Sequence, residues 1–475
     1  MRSMSEVLVV GGGLAGLSCA VALTRQGARV TVLEATRELG GRARSWKHDP
    51  SGDAVDIGPH VVHSEYANFL EFLRWLGTAS RITWQPRKLM TLATARGLFP
   101  LRHRPLPAPF SLFPDMLRAP GLSMRDAMSN VGITRSALHF SEDDVPGLDA
   151  RSGLDLLREH GVTEAMIDWF WRLASMTVMN VPLERCSAAA LLRVHSQLIG
   201  HRRLHFGFPS VGLSELYVER AVSVIERGGG KVLLESAAEL VEYFAGTHTV
   251  SINGSHPVSG KALVLAIPPQ SLQRLNLGAR GAGVVEGSPY KSVYLWFDRA
   301  VAPERFWSLL WSPERLNYDF YELARIRPAI HGGASLIASN IIYSHRVENW
   351  RDEEIVAATL RELESVAPDA AGARLLHADV HHVPMAIPCP YVGTESWRPR
   401  TSTATPGRFL AGDWTRTRLP CSMESAVRSG FLAAEACLAN LGEPRHIAIA
   451  PRPNDGIAGW IQRRRVRDDT RPSRS

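Results

Sequence analysis

The sequence is poor in several features that mark whole classes of protein. Its 475 residues include only five cysteines, which lie far apart, and no Cys/His spacing resembles a zinc site. This pattern predicts reduced, packed thiols and no metal centre. No apolar run approaches the ~18 residues of a spanning helix, and no Ser/His/Asp arrangement or phosphate-cleaving motif is present. The five cysteines are Cys19, Cys186, Cys389, Cys421 and Cys437.

Positive charge is concentrated at one end of the chain. The net charge is +7, and residues 461–475 supply +4 of it with six Arg and two Asp. Because residues 446–475 lack hydrophobic periodicity, we expect a disordered basic tail that contacts solvent or an anionic membrane surface. No stacking motif or basic stripe accompanies it, so a nucleic-acid partner is not expected. We also expect a cytoplasmic protein, either free in solution or peripheral on the inner membrane surface.

The first 34 residues carry the clearest motif. Glu6–Val10 reads as a buried strand, and Leu17–Gln26 as a helix after a G-x-G-x-x-G turn. A second apolar run, 28–33, ends in an acidic residue that is placed to accept hydrogen bonds from a ribose. The whole unit predicts a dinucleotide site in which the helix N-terminus faces the phosphates. Its predicted contacts are Gly11, Gly13, Leu14, Ala15, Gly16, Glu34 and Ala35.

A second glycine pair identifies which dinucleotide to expect. Gly40-Gly41-Arg42-Ala43-Arg44 follows the acidic residue closely. This segment resembles the GG-x-x-(S/T/R) signature of flavoproteins in the amine-oxidase and carotenoid-desaturase superfamily. The resemblance implies FAD as the cofactor, with Gly40 and Gly41 in the site and Arg42 near the flavin phosphates.

The far end of the chain resembles the same superfamily independently. Gly412-Asp413 follows a short apolar run, and the sequence from Met423 predicts a helix that extends to about Asn440. Superfamily members have A-G-D-x-T here, followed by (M/I)-E-G-A. The resemblance implies that FAD also contacts Gly412, Asp413, Met423, Glu424 and Ala426. Ser425 replaces the glycine of E-G-A, and we expect it to place a side chain where a backbone would approach the cofactor.

These matches imply an α/β fold. It contains a discontinuous, Rossmann-like FAD-binding domain of the GR2 type and an inserted α+β substrate-binding domain. By resemblance, Val232 lies on the adenine side of the cofactor. The expected division is FAD-binding residues 1–75, 206–270 and 399–445, substrate-binding residues 76–205 and 271–398, and the tail 446–475.

The substrate side resembles enzymes of isoprenoid metabolism. Asp56-Ile-Gly-Pro-His60, with Tyr66 further on, looks like a motif of plant-type phytoene desaturases and hydroxysqualene dehydroxylases. Met179–Ala188 and Asp413-Trp-Thr415 look most like the squalene-associated enzymes. The resemblance places Gly58, Pro59 and His60 beside the flavin and implies a long apolar substrate. Ser64 replaces a glycine of the motif.

A hydroxysqualene dehydroxylase-like reaction transfers hydride at an allylic carbon through flavin N5 and needs a general acid. We expect His60 or His63 in that role, with Glu65 behind them. Three alternatives stay open: a phytoene or carotene desaturase, a flavin amine oxidase, and a non-catalytic prenyl-binding protein like the GDP-dissociation inhibitors.

Residues 99–123 form a segment rich in proline, apolar and basic residues. Its prolines prevent one continuous helix. The composition fits a surface that enters a lipid interface, and equally a loop packed on its own domain. The sequence does not predict an oligomeric state.

Overall fold

Short strands and helices alternate along the chain. The computed structural model describes residues 6–85, 88–253, 255–277, 285–302, 304–330 and 335–469. The strands are β1 (Glu6–Val10), β2 (Arg29–Leu33), β3 (Ser45–Lys47), β4 (Ala54–Asp56), β5 (Val62–His63), β6 (Ile82–Trp84), β7 (Met90–Thr94), β8 (Gly97–Leu101), β9 (Phe206–Pro209), β10 (Lys231–Leu233), β11 (Ala238–Phe244), β12 (Thr247–Ile252), β13 (Ser255–Gly260), β14 (Ala262–Leu265), β15 (Gly287–Phe297), β16 (Phe306–Leu309), β17 (Asn317–Glu322), β18 (Ser335–Ile342), β19 (Leu375–Pro388) and β20 (Arg408–Leu410). The α-helices are α1 (Leu14–Arg25), α2 (Ala67–Leu76), α3 (Phe113–Met116), α4 (Met124–Ser129), α5 (Val131–His139), α6 (Val145–Leu148), α7 (Gly153–Glu159), α8 (Glu164–Met166), α9 (Arg172–Ala174), α10 (Ala188–Gly200), α11 (Glu219–Arg227), α12 (Pro269–Arg274), α13 (Asp352–Glu364), α14 (Met423–Asn440) and α15 (Gly456–Asp469).

A five-stranded parallel sheet organises the cofactor side. Its strand order is β10-β2-β1-β14-β20, so it joins strands from the beginning, middle and end of the chain. Helices α1, α2, α11 and α14 cover one face, and the antiparallel sheet β11-β12-β13 packs against the other. Parallel strands buried on both faces are typical of dinucleotide-binding folds. The predicted α/β fold with a Rossmann-like sheet is confirmed.

A seven-stranded mixed sheet organises the second unit, in the order β19-β15-β18-β17-β16-β7-β8. One face packs against α13 through an apolar cluster. The opposite face meets the helical segment before α10, where Leu92, Tyr318 and Ile342 of the sheet pack with Trp169 and Met176. The sheet therefore presents one face towards the rest of the molecule.

Residues 99–123 combine features of both interpretations. Ala108 and Asp115 are buried, and Arg104 donates to Asp115, which also accepts from the backbone of Arg102 at 2.8 Å. Leu106 and Phe110 remain exposed at 37% and 45%. The segment is a loop packed on its own domain that leaves an apolar tip at the surface.

The prediction of a disordered tail is wrong over residues 456–469. These residues form α15, in which Ala458 is fully buried and donates its N–H to Ala108 O at 3.2 Å. The sequence lacks helical periodicity here because so little of the helix is buried, and tertiary packing supplies the stability instead. Residues 470–475 of the predicted tail lie outside the described residues.

The thiols are unpaired, as the sequence predicts. All five cysteines are free, and all but Cys421 are buried. Burial raises the pKa of the Cys186 thiol to about 12, which keeps it protonated and unreactive. In the described part of the chain, no helix has both the length and the apolar character that a bilayer crossing requires. Nor does any group of three or more His, Cys, Asp or Glu in that part have the arrangement of a metal site.

Candidate active site

Two glycines of the first turn are required by close packing. Gly11 has a φ of +106°, and a Cβ added there would lie 2.4 Å from Ala266 O on the neighbouring strand end. A Cβ on Gly16 would lie 1.9 Å from Gly11 O. Only glycine allows β1, the turn and α1 to approach this closely.

The third glycine of the turn is different. A Cβ on Gly13 would meet no atom within 4 Å. Gly13 is also the residue that precedes α1, and no side chain caps the helix there. The first N–H groups of an α-helix have no intrahelical acceptors, so Leu14 and Ala15 present donors to this open side. Space and donors together fit a pyrophosphate group.

Glu34 lies at the end of β2 and is fixed against the turn. Its Oε2 accepts from Gly12 N at 2.8 Å, and its Oε1 accepts from the backbone and hydroxyl of Thr36, both at 2.9 Å. Ala35 is exposed beside it. Val232 of β10 pairs with Val32 of β2 at the same edge of the sheet. The structure therefore brings these predicted adenosine-side residues together.

The second glycine pair lies on the first turn. Gly40 N donates to Gly12 O at 2.9 Å, and Gly40 and Gly41 both have positive φ, at 101° and 57°. The hydroxyl of buried Tyr217 donates to Gly40 O at 3.1 Å and Ala43 O at 2.7 Å. These contacts hold the 40–43 loop beside the N-terminus of α1.

Arg42 and Asp413 form a bidentate ion pair. Arg42 Nη2 lies 2.6 Å from Asp413 Oδ1, and Arg42 Nη1 lies 3.2 Å from Oδ2 and 3.1 Å from Ala386 O. The two residues are 371 positions apart in the chain. Gly412 precedes the carboxylate with a φ of +140°, and a Cβ there would collide with the Trp414 indole at 2.3 Å. Both predicted phosphate-side groups thus meet at one point.

The start of α14 differs from the expectation in two side chains. The Glu424 carboxylate accepts from Asn68 N at 3.0 Å and Phe69 N at 2.8 Å, and so caps the N-terminus of α2. The hydroxyl of Ser425 lies 2.6 Å from Thr417 Oγ1 and donates to Asp413 O at 3.3 Å. Both side chains are therefore engaged by protein groups, which leaves the backbone of Met423 to Ala426 as the part available to a ligand.

The loop after β4 is anchored by a buried ion pair. Asp56 pairs with Arg327, and its Oδ1 accepts from Leu213 N at 3.0 Å. Beyond it, Gly58 lies directly on the second sheet, because a Cβ there would be 2.6 Å from Ser292 Oγ. Pro59 continues the loop, and His60 Nδ1 lies 2.7 Å from Gly58 O. Gly58 and His60 therefore lie where the two units meet.

Neither histidine is set up as a cationic proton donor. Burial lowers the pKa of His60, an effect that Asp56 offsets only in part. Burial, together with His201, lowers the pKa of His63 to about 3. His63 Nδ1 accepts from Glu65 N at 3.2 Å, and its ring packs on Tyr66 at 4.1 Å. Both imidazoles are neutral at pH 7, so their role as general acid stays a prediction without electrostatic support.

The side chains of Glu65 and Ser64 contact neighbouring segments of the chain. The Glu65 carboxylate lies 3.6 Å from Arg452 Nη1 and 4.0 Å from His201 Nδ1. Ser64 Oγ accepts from His205 N at 3.2 Å. Both side chains therefore fix the loop to neighbouring segments of the chain.

A buried polar group on the second sheet is absent from the sequence-based set. Asp319 of β17 is 5% exposed, and burial raises the pKa of its carboxyl group to about 6. Near it, Ser292 Oγ donates to Asn340 Oδ1 at 2.9 Å, and both atoms lie under Gly58. In the sequence these residues are polar positions within β-rich runs that also contain other polar residues, so nothing singles them out.

Comparison with known proteins places the chain among flavoproteins. The family model described as "flavin containing amine oxidoreductase" matches residues 14–438. A 15-cis-phytoene desaturase of Synechococcus elongatus is 25% identical over 92% of this chain and 97% of its own length. A carotenoid phi-ring synthase of Streptomyces griseus is 28% identical over 92% of this chain and 88% of its own.

Solved structures show the same fold. Cyclohexylamine oxidase from Brevibacterium oxydans superposes with a TM-score of 0.66 at 17% identity, covering 93% of this chain and 99% of that one. A putrescine oxidase gives a TM-score of 0.71 at 15% identity, covering 92% and 99%.

Proposed function

The chain belongs to the flavin containing amine oxidoreductase family and is an FAD-dependent oxidoreductase, and we propose that its substrate is a long apolar isoprenoid. The observation that carries this proposal is the extent of the similarity to the desaturases. It covers 92% of this chain, and so includes the second sheet and its helices as well as the cofactor side. An apolar cluster between that sheet and the helical segment supports it.

The chain's residues fit the cofactor. We propose that the open side of Gly13 and the donors of α1 receive the pyrophosphate, that Glu34 binds the adenosine ribose, and that Arg42 and Asp413 bind the ribityl and phosphate groups. FAD, when bound, supplies an acceptor or donor of hydride at N5. The loop at Gly58 and the apolar cluster orient the substrate and exclude water from it.

Two reactions at an allylic carbon fit this arrangement. Desaturation is favoured because 15-cis-phytoene desaturases match 91–92% of this chain. Dehydroxylation of hydroxysqualene is the second candidate, because Met179–Ala188 and Asp413-Trp-Thr415 look most like the squalene-associated enzymes. A non-catalytic prenyl carrier has less support, since the flavin-binding residues Glu34, Arg42 and Asp413 are present and assembled. An amine oxidase has less support because the carotenoid enzymes named above are 25–28% identical to this chain, whereas the two amine oxidases are 15–17% identical.

The deciding experiment is an anaerobic incubation of FAD-loaded protein with phytoene and with hydroxysqualene in separate samples. Bleaching of oxidised flavin by phytoene, with a desaturated product, supports desaturation. Reoxidation of reduced flavin with formation of squalene supports dehydroxylation. A protein that responds to neither compound and is bleached by an amine refutes the isoprenoid proposal.

We further propose that the protein docks peripherally on a lipid surface, where such substrates dissolve. Helix α15 lies against the 99–123 loop, since Ala458 N donates to Ala108 O at 3.2 Å. Four large apolar side chains are 37–50% exposed there: Leu106, Phe110, Ile457 and Trp460. Arg102 and Arg118 are exposed on the same loop, and apolar plus basic groups are the usual composition of a membrane-surface contact.

A further inference from the structure

A row of polar side chains crosses one face of the seven-stranded sheet. Ser308 of β16 is paired with Asp319 of β17, and Asn340 of β18 is paired with Ser292 of β15. Asn340 N donates to Asp319 Oδ1 at 3.3 Å and thereby joins the two pairs. All four residues are at most 5% exposed. Buried polar side chains in the middle of a sheet require a structural or functional reason.

Asp319 lies in an irregularity of the sheet. Asn317 pairs with Ile341 and Phe320 with Ser339, so two residues of β17, Tyr318 and Asp319, face the single residue Asn340. Such a bulge re-aims a side chain, and bulges are over-represented beside active sites. Asp319 lies on the same face as Tyr321, two residues further along the strand, whose hydroxyl donates to Asp319 Oδ2 at 2.9 Å.

The carboxylate has no cationic partner in the described part of the chain. Its interactions are those with the Tyr321 hydroxyl and the Asn340 backbone, and no Lys, Arg or His contributes to its electrostatics. A buried carboxylate is normally paired, because burial without a counter-charge disfavours the ionised form. Two hydrogen bonds alone do not account for a carboxyl group at this position.

The row that contains Asp319 lies between the Gly58 loop and the apolar cluster of Trp169 and Met176. At one end of the row, a Cβ on Gly58 would lie 2.6 Å from Ser292 Oγ and 3.2 Å from Asn340 Oδ1. At the other side, Tyr318 and Ile342 flank the row in sequence and belong to the apolar cluster with Trp169 and Met176. A substrate lying along that cluster towards Gly58 passes Asp319.

We propose that the Asp319 carboxylate accepts the proton that the substrate loses when a new carbon–carbon double bond forms. This inference rests on the proposed desaturation. One allylic C–H bond breaks and its hydrogen leaves with both electrons, as hydride, to oxidised FAD. The C–H bond on the adjacent carbon breaks, its electron pair becomes the new π bond, and its proton passes to Asp319. The substrate is oxidised by two electrons and FAD is reduced by two, after which the proton returns to solvent.

Among the ionisable groups around this row, Asp319 is the one that gains or loses a proton near pH 6. Burial raises the pKa values of the phenols on β15 and β17, so they stay neutral: Tyr290, Tyr294, Tyr318 and Tyr321. Burial lowers the pKa of His60 on the loop side and of His381, which is paired with Ser292 on β19, so both are neutral as well. Asn340, Ser292 and Ser308 do not titrate. The proton-accepting form of Asp319 is therefore lost as the pH falls through about 6.

The test compares FAD-loaded wild type with Asp319→Asn, Tyr321→Phe and the control Glu322→Gln, which removes a buried carboxylate of the same strand outside the row. The first readout is the infrared carboxyl stretch as a function of pH, without substrate. We expect a component with a midpoint near 6 that Asp319→Asn lacks and Glu322→Gln retains. In Tyr321→Phe the midpoint moves to higher pH, because the lost hydroxyl stabilises the charged form.

The second readout is the rate at which phytoene bleaches the flavin in a single turnover. We expect Asp319→Asn to slow bleaching at least about 100-fold, and Tyr321→Phe to shift the pH profile in step with the infrared midpoint. If wild type is bleached and Asp319→Asn is equally fast at every pH, the role of Asp319 is refuted while desaturation stands. If phytoene does not bleach wild type, desaturation is refuted and this proton step with it. Should Asp319→Asn fail to fold, an unshifted rate profile in Tyr321→Phe refutes the inference.

Discussion

At the scale of single residues, the glycines of the first turn have separable roles. A Cβ on Gly13 meets nothing within 4 Å, whereas a Cβ on Gly16 lies 1.9 Å from Gly11 O. We therefore expect Gly13→Val to fold with an apoprotein stability within about 1 kcal/mol of wild type but to lose bound FAD. Gly16→Ala is the matched comparison, and we expect it to destabilise the fold itself.

Thermal unfolding of the apoproteins and flavin absorbance per protein after gel filtration separate the two effects. Normal FAD content in Gly13→Val would remove the phosphate site from the N-terminus of α1. An unchanged unfolding temperature in Gly16→Ala would contradict the packing argument.

The charge of Asp319 also links stability to pH. Its folded pKa of about 6 lies above the ordinary value of 3.8, so the folded protein holds this proton more tightly than the unfolded chain. The contribution of this group to the free energy of unfolding therefore falls as the pH rises from about 4 to about 6. We expect Asp319→Asn to be more stable than wild type at pH 7, by up to roughly 3 kcal/mol, and equally stable at pH 4. Urea unfolding at both pH values measures the difference, and a variant less stable at pH 7 would contradict it.

The sequence predicted those site residues that belong to local motifs. Glu34, the two glycine pairs and the Arg42 and Asp413 segments are each readable within a few residues, and the structure assembles them. Asp319 was not predictable, because its significance depends on a bulge and on strand pairings between distant parts of the chain. The ion pair between Asp56 and Arg327 was missed for the same reason.

At the scale of elements, one helix is capped by another. Tyr66 precedes α2 and provides no side-chain cap, while Glu424 of α14 accepts from Asn68 N and Phe69 N. We expect Glu424→Ala to lower the free energy of unfolding by about 2 kcal/mol, because two buried backbone N–H groups lose their acceptor. FAD content should not change, since the side chain is turned to α2.

Chemical unfolding and flavin absorbance of Glu424→Ala test this, with Glu424→Gln as a control that keeps an acceptor oxygen. A variant of normal stability that has lost FAD would instead support the direct cofactor contact implied by the sequence resemblance.

Elements with strong local signals have bounds close to the predicted ones. Strand Glu6–Val10 agrees with the expectation residue for residue, and the helix that begins at Met423 ends at Asn440, near the expected end. Helix α1 is Leu14–Arg25 rather than the predicted Leu17–Gln26, because the turn after Gly13 is already helical, with Leu17 N donating to Gly13 O at 2.9 Å. Helix α15 was missed, because one buried alanine and contacts with α5 and α10 stabilise it rather than an apolar stripe of its own.

At the scale of the whole molecule, the apolar tip of the 99–123 loop and α15 define the proposed lipid-facing side. We expect the double variant Phe110→Ser, Trp460→Ser to reduce co-sedimentation with phosphatidylglycerol vesicles roughly tenfold, since two half-exposed aromatic side chains no longer enter the lipid. Phe244→Ser is the matched control, because Phe244 is 84% exposed on the β11–β12 hairpin of the other unit.

If the double variant and the Phe244→Ser control lose vesicle binding equally, the result would contradict a specific docking side. A chain shortened to remove residues 461–475 tests the basic segment separately. If it sediments like wild type, the arginines do not contribute to binding.

The parallel sheet that begins with β1 is completed by β20, at residues 408–410, and α14 follows it. A ribosome adds about 5–20 residues per second, so synthesis from the glycine-rich turn to Asp413 and the start of α14 takes on the order of 20–90 seconds. During that time the nascent chain has an exposed sheet edge and half a nucleotide cleft. The complete cofactor site therefore forms only after β20 and the start of α14 have been synthesised, and the period before that is when chaperones and proteases compete for this protein.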